Sequence, residues 1–599
     1  MRTSGFRIAV PLLGCLLCIP VFAQVTQRVS VDSGGVQSNS GSGDSGLSVS
    51  GDGRYVAFAS RATNLVPGDT NGTADVFIRD RWSGTTARVS VSSSGVQAND
   101  ACSFPSISAD GRYVAFESPA TTLVAGDTNG TQDIFLHDLQ TGATTLVSLD
   151  PGGAQANDYC TQASISADGR YVAFASYATN LVSGDSNGKS DIFLKDLQSG
   201  AIERVSVATG GAQANQSCGS PSVSADGRYV AFESSASNLV LGDTNGVLDI
   251  FVRDRQLGQT VRASVSTAGV EADGYCIDAS ISQDGRYVAF HTVATNLVPA
   301  GHVEIVDLLV RDLQAATTER AGSSTYGPNP SNPHVSHPSI SGDGRYVAFD
   351  SDHPYDPSDT NGRFDIYVRD LQTGGIERVN VSSAGAEADL DSEFPCVSSG
   401  GRYVVFGSNA TDLVAGDTNH YEDVFLRDRD ATGFTSLCDP GVGGVIACPC
   451  SNPPSGLGRG CDNSAATGGA ALSASGVSYL SLDSLEFTTS GEKPTATSIV
   501  LQGTTSPSAG VIYGQGVRCV GGALKRLFTK TAVGGSITAP DFGAGDPTVS
   551  ARSAAKGDVI QPGQSRWYLV YYRDPVVPGG CSASSTFNAT QTGRVDWSL

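Results

Sequence analysis

The chain has 599 residues, 39% apolar and 16% charged, which makes it too long for one ordinary domain and too poor in charge for a disordered polyampholyte. Its 72 glycines make up about 12% of the sequence, against a usual ~7%. A formal net charge of −22 argues against a dedicated nucleic-acid binder, which needs a basic surface, and against an anionic membrane surface as partner.

Arg2 and Arg7 precede an apolar run, residues 8–23, and Val21-Phe22-Ala23 before Gln24 fits a small-residue cleavage site. Pro11 and Pro20 interrupt the run, which is short for a membrane helix. Residues 1–23 are read as a secretory signal; the rival is a lipoprotein signal ending at Cys15. No later segment reaches eighteen apolar residues, so no membrane span is expected. The mature chain is expected outside the cytoplasm, periplasmic or extracellular, where cysteines pair.

A repeat fills residues 24–437. Asp-Gly-Arg-Tyr-Val-Ala-Phe begins at Asp52, Asp110, Asp168, Asp226, Asp284 and Asp343, and Gly400 opens a seventh copy, Gly-Gly-Arg-Tyr-Val-Val-Phe. Each unit of about 58 residues reads as four short strands. In the second unit, strand a covers residues 105–108 and a tight Asp110-Gly111 turn leads to strand b, residues 112–118. A long connection reaches strand c, residues 133–138, and a short turn leads to strand d, residues 144–149. Seven such units predict an all-β, seven-bladed β-propeller, since one blade cannot bury both of its faces alone. Gln27-Arg28-Val29-Ser30-Val31 copies strand d but precedes the first strand a, so it can complete blade seven and close the ring. Residues 434–437 are a competing closing strand.

Ser-Ile-Ser-Ala-Asp-Gly-Arg-Tyr-Val-Ala-Phe, from Ser106, and Asp133 to Gly142, Asp-Ile-Phe-Leu-His-Asp-Leu-Gln-Thr-Gly, closely resemble the TolB-type, WD-repeat-like propeller repeats of bacterial secreted and periplasmic proteins. The resemblance covers roughly residues 25–437. It implies a propeller used for scaffolding or protein binding, and it transfers no catalytic residue. The repeat also resembles propellers that gate serine peptidases, but no attached α/β-hydrolase domain is read in this chain.

The b–c and d–a connections are long and share one face, where long ordered loops often carry function. The b–c loop repeats Gly-Asp-Thr-Asn-Gly-x-x-Asp. Its polar triads are Asp69, Asn71, Asp75; Asp127, Asn129, Asp133; Asp185, Asn187, Asp191; Asp243, Asn245, Asp249; Asp359, Asn361, Asp365; and Asp417, Asn419, Asp423. The fifth unit keeps only Asp307. Two readings compete. Asp-x-Asn-Gly resembles the opening of oxygen-ligand calcium loops, and the same residues form Asx turns that satisfy backbone amides before strand c. Calcium is the one cofactor the motif suggests.

Cys102, Cys160, Cys218 and Cys276 recur 58 residues apart, at the end of the d–a loop. Close to the axis of a sevenfold ring such positions come within bridging distance, about 6 Å. Pairing of Cys102 with Cys160 and of Cys218 with Cys276 is expected; the alternative is four buried small hydrophobes. Cys396, inside a strand a, is expected to be a buried free thiol.

Residues 438–599 change character and read as a small Gly- and Cys-rich, β-sandwich-like domain. Cys438, Cys448, Cys450, Cys461, Cys519 and Cys581 form an even set with fifteen pairings open. Disulfides are favoured over zinc because no histidine lies beyond His420. Strands are expected around residues 498–501, 567–572 and 595–597. No Gly-x-Ser-x-Gly elbow or His-Glu-x-x-His occurs, and Ser553-Ala554-Ala555-Lys556 matches Ser-x-x-Lys without a companion motif. The leading expectation is a secreted or periplasmic non-enzymatic scaffold binding a protein or glycan through its long-loop face. The alternative is a hydrolase or lyase acting on an extracellular polymer at the channel mouth. Irregular units, with His302, His334 and His337, are the expected place for either.

Overall fold

The computed structural model describes residues 24–299, 306–324, 338–429 and 434–437, and beyond these residues 440, 447–448 and most of 452–597. Two compact units emerge. One runs over Gln24–Arg429, and Asp430–Trp597 falls in the other.

The first unit is seven four-stranded antiparallel sheets in strand order a-b-c-d. Blade one is Ser42–Val49, Tyr55–Ser60, Asp75–Asp80 and Thr85–Arg88. Blade two is Ser103–Ile107, Tyr113–Ser118, Asp133–Asp138 and Ala143–Leu146. Blade seven takes its outer strand from the other end of the propeller: Val25–Arg28 pairs antiparallel with Asp423–Asp428, Val25 opposite Asp428 and Arg28 opposite Phe425. The competing strand, Phe434–Leu437, pairs instead with Thr592–Asp596, so the propeller ends ahead of residue 437.

The Asp-Gly-Arg-Tyr motif is what joins blade to blade. The aspartate caps its turn, as where Asp52 accepts from Arg54 N at 3.0 Å and from Ser50 Oγ at 2.7 Å. Gly53 has φ +70°, and a Cβ there would lie 2.1 Å from the Tyr403 ring of blade seven. Gly111 receives Tyr55 of blade one in the same way, and so on around the circle to Gly401 and Tyr346. The positive φ and the missing Cβ are therefore both required at this position. The arginine forms a bidentate pair with the last aspartate of strand c, Arg54 with Asp80 at 2.7 and 3.0 Å, and lies over its own tyrosine ring. Between blades the hydrophobic cores are separate, each built on the Val-Ala-Phe of strand b and the apolar residues of strand c.

Near the axis a second stitch runs blade to blade. Ile107 N donates to Ser48 Oγ at 3.2 Å, Ile165 N to Ser106 Oγ at 3.1 Å and Val223 N to Ser164 Oγ at 3.2 Å. The pattern continues through Ser222, Ser280 and Ser339. Cys396 stands at the seventh of these serine positions, lining the channel as a partly exposed free thiol.

The second unit contains a sheet built on Ser565–Arg573, Thr497–Gly503, Lys525–Thr531, Thr592–Asp596 and Phe434–Leu437, and a smaller sheet of Ala471–Ser475, Glu486–Ser490 and Thr538–Ala539. Phe487, Tyr568, Tyr572 and Trp597 share one core between them. Among the described residues the only α-helix is Val549–Ala555, and no helix is long and apolar enough to cross a membrane. Ser553 of the Ser-x-x-Lys match is buried, with its hydroxyl donating to Asp558 O at 2.7 Å.

Candidate functional site: the long-loop face

In the six units that keep the motif, the b–c loop folds back on itself before strand c. In blade one Asn71 Oδ1 accepts from Thr73 N at 3.3 Å, an Asx turn, and its Nδ2 donates to Asp75 Oδ2 and to Ala98 O, each at 3.0 Å. Ser90 Oγ donates to Asp75 Oδ1 at 2.5 Å. The amide thus turns its nitrogen, not its oxygen, toward the carboxylate. Asn129, Asn187, Asn245 and Asn419 repeat the donation to Asp133, Asp191, Asp249 and Asp423.

Between the two carboxylates of most loops lies a guanidinium from strand d. Arg88 Nη1 is 3.2 Å from Asp69 and 3.1 Å from Asp75. Arg204 bridges Asp185 and Asp191 at 3.1 and 3.4 Å, and Arg262 bridges Asp243 and Asp249 at 3.2 Å each. The N-terminal strand supplies Arg28 to Asp417 and Asp423 at 3.0 and 3.4 Å. In blade six Asp359, Asp365 and Glu387 come close enough together to hold a metal ion. Arg378 Nη1 stands among them, at 3.8, 3.3 and 2.7 Å. In blade five Asp307 keeps Arg320 at 2.8 Å. In five of the six loops a guanidinium therefore stands between the carboxylates, where a cation would otherwise sit, and cancels one of their charges.

Blade two differs. Leu146 occupies the position of Arg88, and Asp127 and Asp133 are held only by neutral donors: Gln155 on Asp127 at 3.1 Å, and Asn129 and Ser148 on Asp133 at 2.7 and 2.5 Å. Burial pushes the Asp133 carboxyl up to about 6. Burial raises Asp127 as well.

The expected inter-blade disulfides are not formed. Cys102, Cys160, Cys218 and Cys276 are buried free thiols, each in a different inter-blade core. Each turns toward the end of its own strand b, with Cys102 Sγ 3.3 Å from Ser118 Oγ and Cys276 Sγ 3.2 Å from Thr292 Oγ. Burial pushes these thiols up to about 12, so they carry no thiolate at neutral pH. In the second unit Cys448 is bonded to Cys461, and Cys519 is also disulfide-bonded. Cys438, Cys450 and Cys581 lie outside the described residues, as do His302, His334, His337 and residues 1–23.

Irregularity on this face appears elsewhere, at the channel mouth between blades three and four. Tyr159 and Tyr177 stand with ring centroids 5.0 Å apart. With Gln162, Ser190, Gly219 and Glu233 they line a cavity of about 270 Å³. Gln162 has φ +58°, and its Oε1 accepts from Ser220 N of the next blade at 2.8 Å. Positions equivalent to Tyr177 hold Arg61, Pro119, Ser235 and Asn409, so the aromatic wall belongs to this sector alone among them. Repeat reading passes over such a place because it averages the units.

No family model matches the sequence, and no curated protein matches it. Solved structures do. TolB from Acinetobacter baumannii is 16% identical over 54% of this chain and 63% of its own, with a TM-score of 0.33. A putative TolB from Agrobacterium tumefaciens is 18% identical over 57% of this chain and 94% of its own, TM-score 0.31. Acylaminoacyl peptidase from Pyrococcus horikoshii is 12% identical over 62% of this chain and 50% of its own, TM-score 0.37. This chain thus spans less than two thirds of the Acinetobacter TolB and half of the peptidase. The chain is a seven-bladed propeller followed by a second β domain, an assignment that stands on its own seven sheets and their closure.

Proposed function

We propose that the protein is an exported, non-enzymatic scaffold that binds a protein or glycan through the long-loop face of its propeller, after removal of residues 1–23. The observation that carries this reading is the pocket of Tyr159, Tyr177, Gln162 and Glu233. This sector offers the exposed Tyr159 ring and the half-buried Tyr177 beside the Gln162 amide and the Glu233 carboxylate, which also hold Ser220 N and Asp278 N, and such a mixture is what recognition sites use. The Cys448–Cys461 disulfide is in keeping with an oxidising compartment. The same reading gives the Asp-x-Asn-Gly loops the role of turns.

The test is capture from the native envelope fraction on immobilised mature protein, wild type against Tyr159→Ala with Tyr177→Ala. Retention of a defined protein or glycan by wild type and its loss in the double variant supports the reading. Equal retention by both removes this pocket as the binding site. Release of low-mass products from an extracellular polymer would favour the hydrolase or lyase alternative.

A further inference from the structure

On the opposite face, where the tight turns lie, three of the grooves between blades are filled by an arginine of the chain itself. Arg255 of blade four reaches back to blade three: its guanidinium lies 4.8 Å from the centre of the Tyr171 ring, and its Nε donates to Glu203 Oε1 at 2.8 Å. Its Nη1 donates to the carbonyl of Gly227, in its own Asp-Gly turn, at 2.6 Å. Arg429 makes the same three contacts with Tyr346, Glu377 and the Gly401 carbonyl. Arg81 lies 4.8 Å from the Tyr403 ring and donates to Gly53 O at 2.6 Å. In each case the tyrosine already carries its own blade's arginine, so the ring is held between two guanidinium groups.

The groove between blades five and six has the acceptors without the arginine. Tyr287, Glu319 and Gly344 stand where Tyr171, Glu203 and Gly227 stand, and Leu371 replaces Arg255. Arg286 covers one face of the Tyr287 ring at 4.7 Å. A cavity of about 510 Å³ lies in this groove, lined by Tyr287, Glu319, Gly344 and Leu371. Among the described residues no cation pairs with Glu319. The neighbouring groove, between blades four and five, is a built-in control. It has Tyr229, Gly285 and Leu313 and a cavity of about 450 Å³, but Val261 stands where the carboxylate would be.

We propose that the groove of Tyr287, Glu319 and Gly344 receives the side chain of an arginine presented by a partner protein. The chain itself shows what the groove takes, since two sister grooves bind a guanidinium by ring stacking, a carboxylate and one carbonyl, and the third binds it by the ring and the carbonyl. Arginine is favoured over lysine because a planar guanidinium can stack on the ring while donating to both acceptors, which an ammonium cannot do at once. The site lies apart from the long-loop pocket and does not depend on the reading given for it.

The test uses the full mature chain with N-acetyl-arginine methylamide and N-acetyl-lysine methylamide as probes, read by saturation-transfer NMR. Wild type should bind the arginine probe in the millimolar range and the lysine probe several-fold more weakly. Glu319→Gln should weaken arginine binding roughly tenfold, the cost of losing a charge-assisted contact. Leu371→Arg should abolish binding by filling the groove from within, and should raise the melting temperature only while Glu319 is present. Glu319 is exposed and Leu371 is partly buried against the neighbouring core, so far-UV circular dichroism checks that the variants fold. Absence of binding to wild type, or equal binding by wild type, Glu319→Gln and Leu371→Arg, overturns the proposal.

Discussion

Blade one and blade two carry the same Asp-x-Asn-Gly loop, the same amide-to-carboxylate bond and the same serine on the second aspartate. They differ at the strand-d position beside the loop, Arg88 in one and Leu146 in the other. In blade one two nearly buried carboxylates share a guanidinium, whereas in blade two they share only neutral hydrogen bonds. A motif that looks like a metal loop thus belongs to a larger structural unit whose cation stands on the neighbouring strand. The comparison also shows that the turn can form without that cation, at a cost carried by the carboxylates.

Making another blade resemble blade two should have the largest effect. Arg378 is almost fully buried among Asp359, Asp365 and Glu387. Arg378→Leu leaves three carboxylates facing one another and should cost about 4 kcal/mol, because a buried charge loses its only counter-charge. Equilibrium urea unfolding measures it. A loss no greater than that of an exposed arginine would mean that the loops do not need their guanidinium.

Next comes the pH dependence of blade two. The Asp133 carboxyl is raised in the folded protein to about 6, from an ordinary 3.8. The unfolded chain therefore releases its proton first as pH rises. Stability from this group is full below about pH 4 and lost as pH climbs through 6, by up to about 3 kcal/mol. Asp133→Asn should remove that slope. Stability curves for wild type and variant that run parallel between pH 4 and 7 would refute the account of this carboxylate.

Restoring the sister arrangement should have a smaller effect of opposite sign. Leu146→Arg places a cation beside Asp127 and Asp133 and should stabilise by about 1 kcal/mol, since charge-assisted contacts replace an uncompensated pair. The melting temperature reads it, and a decrease would indicate that the blade-two core does not tolerate the change.

Much of the propeller is legible in the sequence because its determinants are local and repeated. Asp52, Gly53, Arg54 and Tyr55 each have a fixed task, and the Arg28–Val31 copy of strand d announces closure before any contact is seen. The arginines of the site were also in view. Arg28, Arg88, Arg204, Arg262, Arg320 and Arg378 hold one position on strand d, but the pairing crosses from c to d and the loop motif draws attention to itself. The cysteine spacing reports sevenfold placement and not side-chain direction, and direction decides the matter: Cys102 turns to Ser118 within its own blade. The Tyr159–Tyr177 wall is a departure from the repeat. In the second unit, the pairing of Phe434–Leu437 with Thr592–Asp596 joins segments far apart in the chain, which no local pattern encodes.

The central claim is that arginine, rather than a metal ion, is the cation of five acidic loops on the long-loop face. Calorimetric titration of the mature protein with calcium, with melting curves in millimolar calcium and in chelator, tests it most directly. The account predicts no stoichiometric heat from the five loops holding Arg28, Arg88, Arg204, Arg262 and Arg378, and matching melting temperatures in the two media. Binding of several calcium ions per chain, with a melting temperature raised by calcium and lowered by chelator, would contradict it.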